Sequence, residues 1–234
     1  MEKYISKKEK ASYGFAAVGS YMVAGITQSY LMYFFTDILI IPSAFVMMLM
    51  IVARVWDALN DPMMGVIVDR TSTKYGKMRP YVLIGSFLML VTTIVLFMPL
   101  TGAPTMFKMI FAAVSYIIFG MAYTLTDVPA MGLMSVATPS SDERASLLSF
   151  YVTVGSVGSL LPVGLLTIFQ SFIPEKYVYF AMSIFVGIIT SAAYLTLFKN
   201  SKERFSTHTE KIAVRDMIKA ACKNKPMMLS LIHI

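Results

Sequence analysis

The sequence predicts an all-α membrane protein, folded as a bundle of six transmembrane helices. Of the 234 residues, 57% are hydrophobic and 14% are charged, whereas soluble domains carry about 25% charged residues. Six spans of about 20 residues need roughly 120 apolar positions, and this composition supplies them. The apolar residues also fall in long runs, and the basic residues are distributed unequally between the runs. Little of the chain remains for a water-soluble domain.

Each predicted span is an apolar run bounded by charged, proline or glycine residues. The connections between runs are short, so consecutive helices must run antiparallel and form a compact bundle. Glycines in the first and fifth runs favour close helix contact. The 20 Met and 13 Tyr residues are interpreted as lipid-facing and interface side chains. The six spans are predicted at residues 11–36, 43–68, 80–100, 105–136, 145–172 and 177–198.

The chain divides into a bundle, residues 1–198, and a polar, basic segment, residues 199–225, which is predicted to be a cytoplasmic loop with an amphipathic helix near 212–222. After residue 225 the sequence becomes apolar again, over residues 226–234. So short a run cannot cross a bilayer core of about 30 Å. It is therefore predicted to be the truncated start of a seventh helix.

The distribution of basic residues predicts the orientation in the membrane. Seventeen of the 20 Lys and Arg residues lie on one side of the predicted bundle. Lys108 and Lys176 lie on the other side, and Arg54 lies within a span. Because cytoplasmic loops are enriched in Lys and Arg, both ends of the chain are predicted to be cytoplasmic.

The composition also excludes several classes of function. A single cysteine and two histidines rule out an intramolecular disulfide framework and make a Cys/His zinc site implausible. The net charge of +7 is explained by topology, so nucleic acid is not a predicted partner. The sequence contains no Walker A loop, nucleotide fingerprint or credible nucleophile–base pair. We therefore predict that the protein is not an enzyme and has no cofactor.

Span two carries the most informative charges, because ionisable groups inside a membrane are costly unless they are paired or hydrated. Asp57 and Asp61 are one turn apart, and Asn60 lies between them on the same helix face, with Arg54 one turn before. Two carboxylates and one guanidinium leave an excess negative charge, which a proton or a cation would neutralise. Such oxygen ligands suit hard cations such as Na⁺. The alternative is that these charges only bridge helices.

Span four contains Asp127, which has no basic neighbour within a helical turn. Its partner must therefore come from another helix, a substrate or water. Thr124 lies three residues earlier, and its hydroxyl could complete an oxygen cage facing span two. A lone intramembrane acid is typical of a functional site.

The connection between spans two and three is predicted to act as a conformational latch as well as a cytoplasmic loop. Asp69 lies at a helix end, where it can accept hydrogen bonds from Arg70, Arg79 or a neighbouring helix N-terminus. Gly76 permits a tight reversal of the chain. The predicted gating or latch residues are Arg54, Gly65, Asp69, Arg70, Gly76, Lys77 and Arg79.

Together these motifs resemble the glycoside–pentoside–hexuronide:cation symporters, the melibiose-carrier family of the major facilitator superfamily. That family has twelve spans in two six-helix halves, and this chain is similar to the N-terminal half with its central loop. The resemblance implies residence in a bacterial cytoplasmic (inner) membrane and a missing C-terminal six-helix half as partner. The segments that carry the likeness are 13–15, 54–65, 69–71, 76–80 and 123–129.

The resemblance also implies roles for individual residues. Asp57, Asn60, Asp61 and Thr124 match the family's sodium or proton site, and Tyr123 and Asp127 match residues that face the sugar. The chain departs from the melibiose carrier elsewhere. Ser20 and Tyr21 replace a Lys-Asp pair, Met131 replaces an aromatic residue, and residues 150–152 of span five lack a basic residue. A substrate other than a galactoside is therefore expected, with Ser20, Tyr21 and Met131 among the residues that bind it.

These observations predict a cation-coupled symporter of a sugar or glycoside that works by alternating access, with Na⁺ or H⁺ as the coupling cation. The alternative is a membrane sensor or partner protein that keeps the fold but does not transport.

Overall fold

The structure, a computed structural model, describes residues 4–205. The predicted amphipathic helix near 212–222 and the predicted start of a seventh helix lie outside the described residues. The described part is helical, with one isolated antiparallel bridge between Thr73 and Gly76. The helices are α1 (Lys7–Tyr33), which continues into a π-helical turn (Phe34–Ile38), α2 (Ser43–Arg70), α3 (Arg79–Leu96), α4 (Thr105–Ala137), α5 (Ser141–Gln170) and α6 (Glu175–Asn200).

Capping residues explain where several helices begin. The Ser6 side chain accepts a hydrogen bond from the Glu9 amide at 3.1 Å, so α1 begins at Lys7, four residues before the predicted apolar run. Ser140 caps α5 through the Glu143 amide at 3.4 Å, which likewise moves the start of α5 ahead of the predicted run. Apolar periodicity marks the membrane-crossing part of a helix, whereas caps mark its actual end.

Five of the six helices are long and apolar enough to cross a membrane, namely α2 to α6. The exception, α1, starts with a charged turn and interrupts its apolar residues with Gly, Ser, Tyr and Thr. The six predicted helices are therefore present, and by length and composition five of them are candidate spans.

The packing order differs from the chain order. Helix α1 packs mainly on α5 and α6, α3 packs on α4 and α6, and α2 packs mainly on α4. Because α2 has so few neighbours, it exposes apolar side chains turn after turn, a surface that suits lipid or another helix. These side chains include Met47, Ile51, Val55, Leu59, Met63 and Ile67.

Two clusters of buried side chains hold the bundle together. One lies around Phe34, Phe97 and Tyr179. The other lies around Tyr13, Tyr151 and Tyr194. These tyrosines, together with buried Met22, Met89 and Met182, show that assigning Tyr and Met to the lipid and the interface was wrong for part of the set. Composition alone does not reveal which face of a helix a residue occupies.

The backbones of α1 and α5 touch at their glycines. A Cβ atom added to Gly25 would lie 2.6 Å from the Ser159 carbonyl oxygen, and one added to Gly158 would lie 2.7 Å from the Val18 carbonyl oxygen. The predicted close contact is therefore confirmed at these positions. Gly164, in contrast, faces open space.

Candidate cation and ligand site

A cavity of about 620 Å³ lies between α1, α2 and α4. Its walls bring together charged and polar side chains that are distant in sequence. They include Arg54, Asp57, Asp61, Tyr123, Thr124 and Asp127.

The α2 side of the cavity contains two carboxylates, one turn apart, that face α4. The Thr124 hydroxyl donates a hydrogen bond to Oδ1 of Asp61 at 2.8 Å. One turn earlier on α4, a Cβ atom added to Gly120 would lie 3.2 Å from Oδ1 of Asp57. Asp57 and Asp61 thus approach neighbouring turns of α4 where α2 packs on it, and Thr124 faces α2 as the sequence predicts.

Arg54 lines the same cavity without forming an ion pair. Across residues 4–205, the sole Lys or Arg nitrogen within 4.0 Å of a carboxylate oxygen belongs to Arg204. The two aspartates of α2 are therefore not neutralised by a direct contact with Arg54, which weakens the alternative that these charges only bridge helices.

Asn60 is placed differently from the two aspartates. It is absent from the cavity lining. Its side-chain amide nitrogen is buried and has no hydrogen-bond partner within the described part of the chain. Its predicted role as a cation ligand therefore stays a prediction.

The other side of the cavity is organised around Asp127. Oδ1 of this residue accepts a hydrogen bond from the Ser20 hydroxyl at 2.9 Å and a longer one from the Tyr194 hydroxyl at 3.5 Å. The Ser20 oxygen also lies 3.2 Å from the Tyr123 hydroxyl. Ser20 is 1% exposed, so it contacts Asp127 from behind the cavity wall.

Two further predicted ligand residues lie away from the cavity. The Tyr21 ring packs against Gly155 and meets the Tyr151 ring edge-on, with centroids 6.3 Å apart. Met131 packs against the buried cluster around Tyr13. Neither residue lines the cavity. When a residue of another type replaces a family's ligand-binding residue, its side chain need not point into the cavity.

Several residues of the site were not predicted from the sequence. Gly120 and Tyr116 lie four and eight residues before Thr124, so helical periodicity alone would have placed them on the same face. Trp56 also lines the cavity. Tyr194 comes from α6, and its approach to Asp127 could not be read from the sequence.

The predicted latch is built from different partners than expected. Arg79 donates a hydrogen bond from Nη2 to the Phe198 carbonyl oxygen at 2.7 Å and lies over the Phe198 ring at 4.9 Å. Asp69 and Arg70 are exposed, and neither forms an ion pair in the region that the structure covers. Among the described residues neither Arg70 nor Arg79 donates a hydrogen bond to Asp69, because the Arg79 guanidinium is bound by a carbonyl oxygen in the last turn of α6. The role of these residues as a latch stays a prediction.

A short segment after α6, residues 201–205, contacts α1, α3 and α4 at this end of the bundle. We call this segment the brace. Its Glu203 carboxylate accepts hydrogen bonds from the amides of Lys77, Met78 and Arg79 at 2.8, 2.9 and 3.0 Å, and so caps α3. Gly76 has a φ of 108° and contacts the same carboxylate, which leaves no room for a Cβ atom. The predicted reversal at Gly76 is confirmed, whereas Gly65 faces open space.

The brace also joins α1 and α4. Arg204 forms an ion pair with Glu9 of α1 at 2.7 Å, and the Glu9 side chain is 1% exposed. The amides of Arg204 and Phe205 both donate to the Val136 carbonyl oxygen, at 3.2 and 3.1 Å. The hydrogen bonds that the Arg204 guanidinium donates to the Glu9 carboxylate raise the pKa of Arg204. Sequence analysis did not identify these contacts.

Comparisons with known proteins identify the family of the chain. Residues 12–234 match the model of the MFS/sugar transport protein family. Similar proteins include an uncharacterized symporter, YjmB, of Bacillus subtilis, 32% identical over 97% of this chain and 50% of the relative. An isoprimeverose transporter of Lactiplantibacillus pentosus is 27% identical over 94% of this chain and 47% of the relative. A glucuronide carrier protein homolog of Escherichia coli is 24% identical over 98% of this chain and 51% of the relative.

These relatives are transport proteins, which confirms the prediction that the chain is not an enzyme. The chain spans about half the length of the curated relatives that it matches. The resemblance drawn from the motifs of spans one, two and four is likewise confirmed. The chain belongs to the MFS/sugar transport protein family of membrane transporters.

Proposed function

We propose that this chain forms one six-helix half of a symporter that couples the uptake of a sugar or glycoside to the entry of a cation. Membership of a sugar-transport family and five apolar helices support an integral membrane transporter. The half-length match to relatives supports a second half of similar size. We infer that this half rocks against the other, as alternating access requires, and that both ends of the described bundle lie on the cytoplasmic side of a bacterial inner membrane.

The observation that carries the proposal is that one cavity holds both groups of oxygens. Asp57, Asp61 and Thr124 face it from α2 and α4, and Asp127 faces it from α4. With all carboxylates ionised, three negative charges oppose the single positive charge of Arg54. A bound Na⁺ or H⁺ reduces that excess and so favours ligand binding beside Asp127. By the same reasoning, Asn60 would join the cation site only if its side chain turned toward the cavity.

The names of the relatives suggest which ligands to test. They include an isoprimeverose transporter, a glucuronide carrier homolog and a putative sulfoquinovose importer of Salmonella typhimurium. We propose that this protein takes a related sugar or glycoside.

The test is uptake into vesicles that contain the complete protein, with labelled isoprimeverose, a glucuronide and sulfoquinovose. Each sugar is offered with no gradient, with an inward Na⁺ gradient and with an inward H⁺ gradient. We expect one gradient to drive accumulation, and the Asp61→Asn variant to lose at least about tenfold in the driven rate, because it removes one cation-binding charge. The Asp142→Asn variant, at an exposed position outside the cavity, should retain the activity.

Two results would contradict the proposal. Accumulation without any cation gradient, equal in Asp61→Asn and the wild type, would exclude coupling at this site. Sugar binding without transport would instead favour the sensor that keeps the fold.

A further inference from the structure

The hydroxyl of Ser20 occupies the centre of a small hydrogen-bonded chain behind the cavity. It lies 2.9 Å from Oδ1 of Asp127 and 3.2 Å from the hydroxyl oxygen of Tyr123. Ser20 itself is buried and does not line the cavity, whereas both of its partners do. Any influence of Ser20 on a ligand must therefore pass through those partners.

The number of protons fixes the direction of each hydrogen bond in this chain. A serine hydroxyl has one proton to donate, and an ionised carboxylate can only accept. With Asp127 ionised, Ser20 donates to Asp127 and accepts the proton of the Tyr123 hydroxyl on one of its lone pairs. The Tyr194 hydroxyl reaches the same Oδ1 atom of Asp127 at 3.5 Å.

This order leaves two free acceptors on the cavity side. Oδ1 of Asp127 accepts the Ser20 and Tyr194 hydroxyls, whereas Oδ2 accepts no hydrogen bond from the described residues and is available to a ligand. Tyr123 has already donated its proton, so its oxygen can offer only lone pairs. Neither group has a proton left to donate.

We propose that Ser20 is a positioning residue that makes the Asp127 end of the cavity an acceptor-only surface, selective for ligands that present two neighbouring hydroxyl donors. The inference rests on the proposed sugar site and adds a rule for specificity. A polyol or sugar satisfies it through a pair of free hydroxyls. A ligand whose hydroxyls at that edge are methylated, fluorinated or absent does not.

The first arm of the test needs no ligand. Infrared difference spectra between the wild type and Asp127→Asn isolate the signal of the Asp127 side chain in the complete protein, reconstituted in lipid. We expect carboxylate bands that shift in Ser20→Ala and return toward the wild-type position in Ser20→Thr, which retains a hydroxyl. Tyr13→Phe is the matched control, because it removes a buried hydroxyl that has no hydrogen-bond partner in the described part of the chain.

Two infrared results would overturn the proposal. A protonated carboxylic acid signal from Asp127 would provide a donor on the cavity side. Bands that do not change in Ser20→Ala would show that Ser20 does not hold the carboxylate. Loss of the fold would appear as lost helical amide bands, and would be separated from a positioning effect by the Ser20→Thr variant.

The second arm uses isoprimeverose as the first probe, with its singly deoxygenated and singly fluorinated analogues as competitors of uptake. Fluorine can accept a hydrogen bond but cannot donate one. At the two sugar positions that face Asp127 and Tyr123, we therefore expect the fluorinated and the deoxygenated analogue each to lose about tenfold or more in affinity. An analogue series in which fluorine preserves affinity everywhere would contradict an acceptor-only surface. If isoprimeverose and the other panel sugars are not transported, the proposed function fails, while the infrared arm still decides the hydrogen-bond order.

Discussion

The brace and the cavity hold their charges in opposite ways. At the brace, Glu9 is paired with Arg204, and Glu203 accepts three backbone amides. In the cavity, Arg54 and Asp57 face a common space with no ion pair between them. Both regions lie in one small helical bundle, yet within the described chain only the brace pairs a carboxylate with a basic side chain. In the cavity, Asp61 and Asp127 accept hydrogen bonds from hydroxyl groups alone.

The difference separates stability from function. A buried charge whose hydrogen bonds are all made fixes the backbone around it, whereas removing one partner leaves an uncompensated group. A charge without a protein partner retains the capacity to bind something else. The brace should therefore respond to mutation through stability, and the cavity through affinity.

The largest stability effect is expected for Glu9→Gln. The substitution keeps the side-chain volume and removes the charge that Arg204 pairs with, so the apparent free energy of unfolding should fall by about 3 kcal/mol. Thermal and denaturant unfolding in detergent would measure the loss. The exposed Asp142→Asn variant is the control and should change little. A loss below about 0.5 kcal/mol for Glu9→Gln would place it with ordinary surface substitutions and contradict the account.

A smaller effect is expected for Glu203→Ala, which removes the acceptor of three amides at the start of α3. Replacing a helix-capping side chain with alanine costs about 1–2 kcal/mol. Hydrogen exchange at Lys77, Met78 and Arg79 should therefore accelerate about tenfold. Glu203→Gln keeps an acceptor oxygen and should show an intermediate rate. Equal protection in all three proteins would mean that the brace does not cap α3.

The cavity is probed by Gly120→Ala. Alanine is favoured over glycine in a helix by about 1 kcal/mol, so stability should not fall. The new methyl group would press on Oδ1 of Asp57, so Na⁺ affinity should fall by about tenfold, as measured by calorimetric titration of the complete protein. The control is Gly164→Ala, which gains the same helix propensity but places its methyl group in open space. It should keep the Na⁺ affinity of the wild type. Equal affinities in the two variants would show that the Asp57 side chain is not part of the cation site.

Much of the fold was predictable from the sequence, because long apolar runs identify membrane helices. The contact between Asp61 and Thr124 was predictable as well, because helical periodicity places Asp57 and Asp61 on one face of α2 and the polar Thr124 of α4 needs a partner. Close contact at Gly25 and Gly158 followed from the small-residue pattern.

The rest required the tertiary structure. The brace depends on a chain segment returning to α1, α3 and α4, and no local pattern in residues 201–205 encodes those distant partners. Periodicity could not show that α2 packs mainly on α4, nor that Tyr194 approaches Asp127 from α6. Tyr21 and Met131 were placed by analogy with positions that carry other side chains, and they pack elsewhere.

The most direct test of the account is whether cation and sugar binding are coupled through this cavity. The measurement is the affinity of the complete protein for the cation that drives uptake, Na⁺ or H⁺, with and without a saturating transported sugar, together with the reverse titration. The account predicts that each ligand tightens the other by the same factor, as linkage requires, and that Asp61→Asn abolishes the factor. An affinity for the driving cation that the sugar leaves unchanged, or a coupling factor that survives in Asp61→Asn, would contradict this coupling.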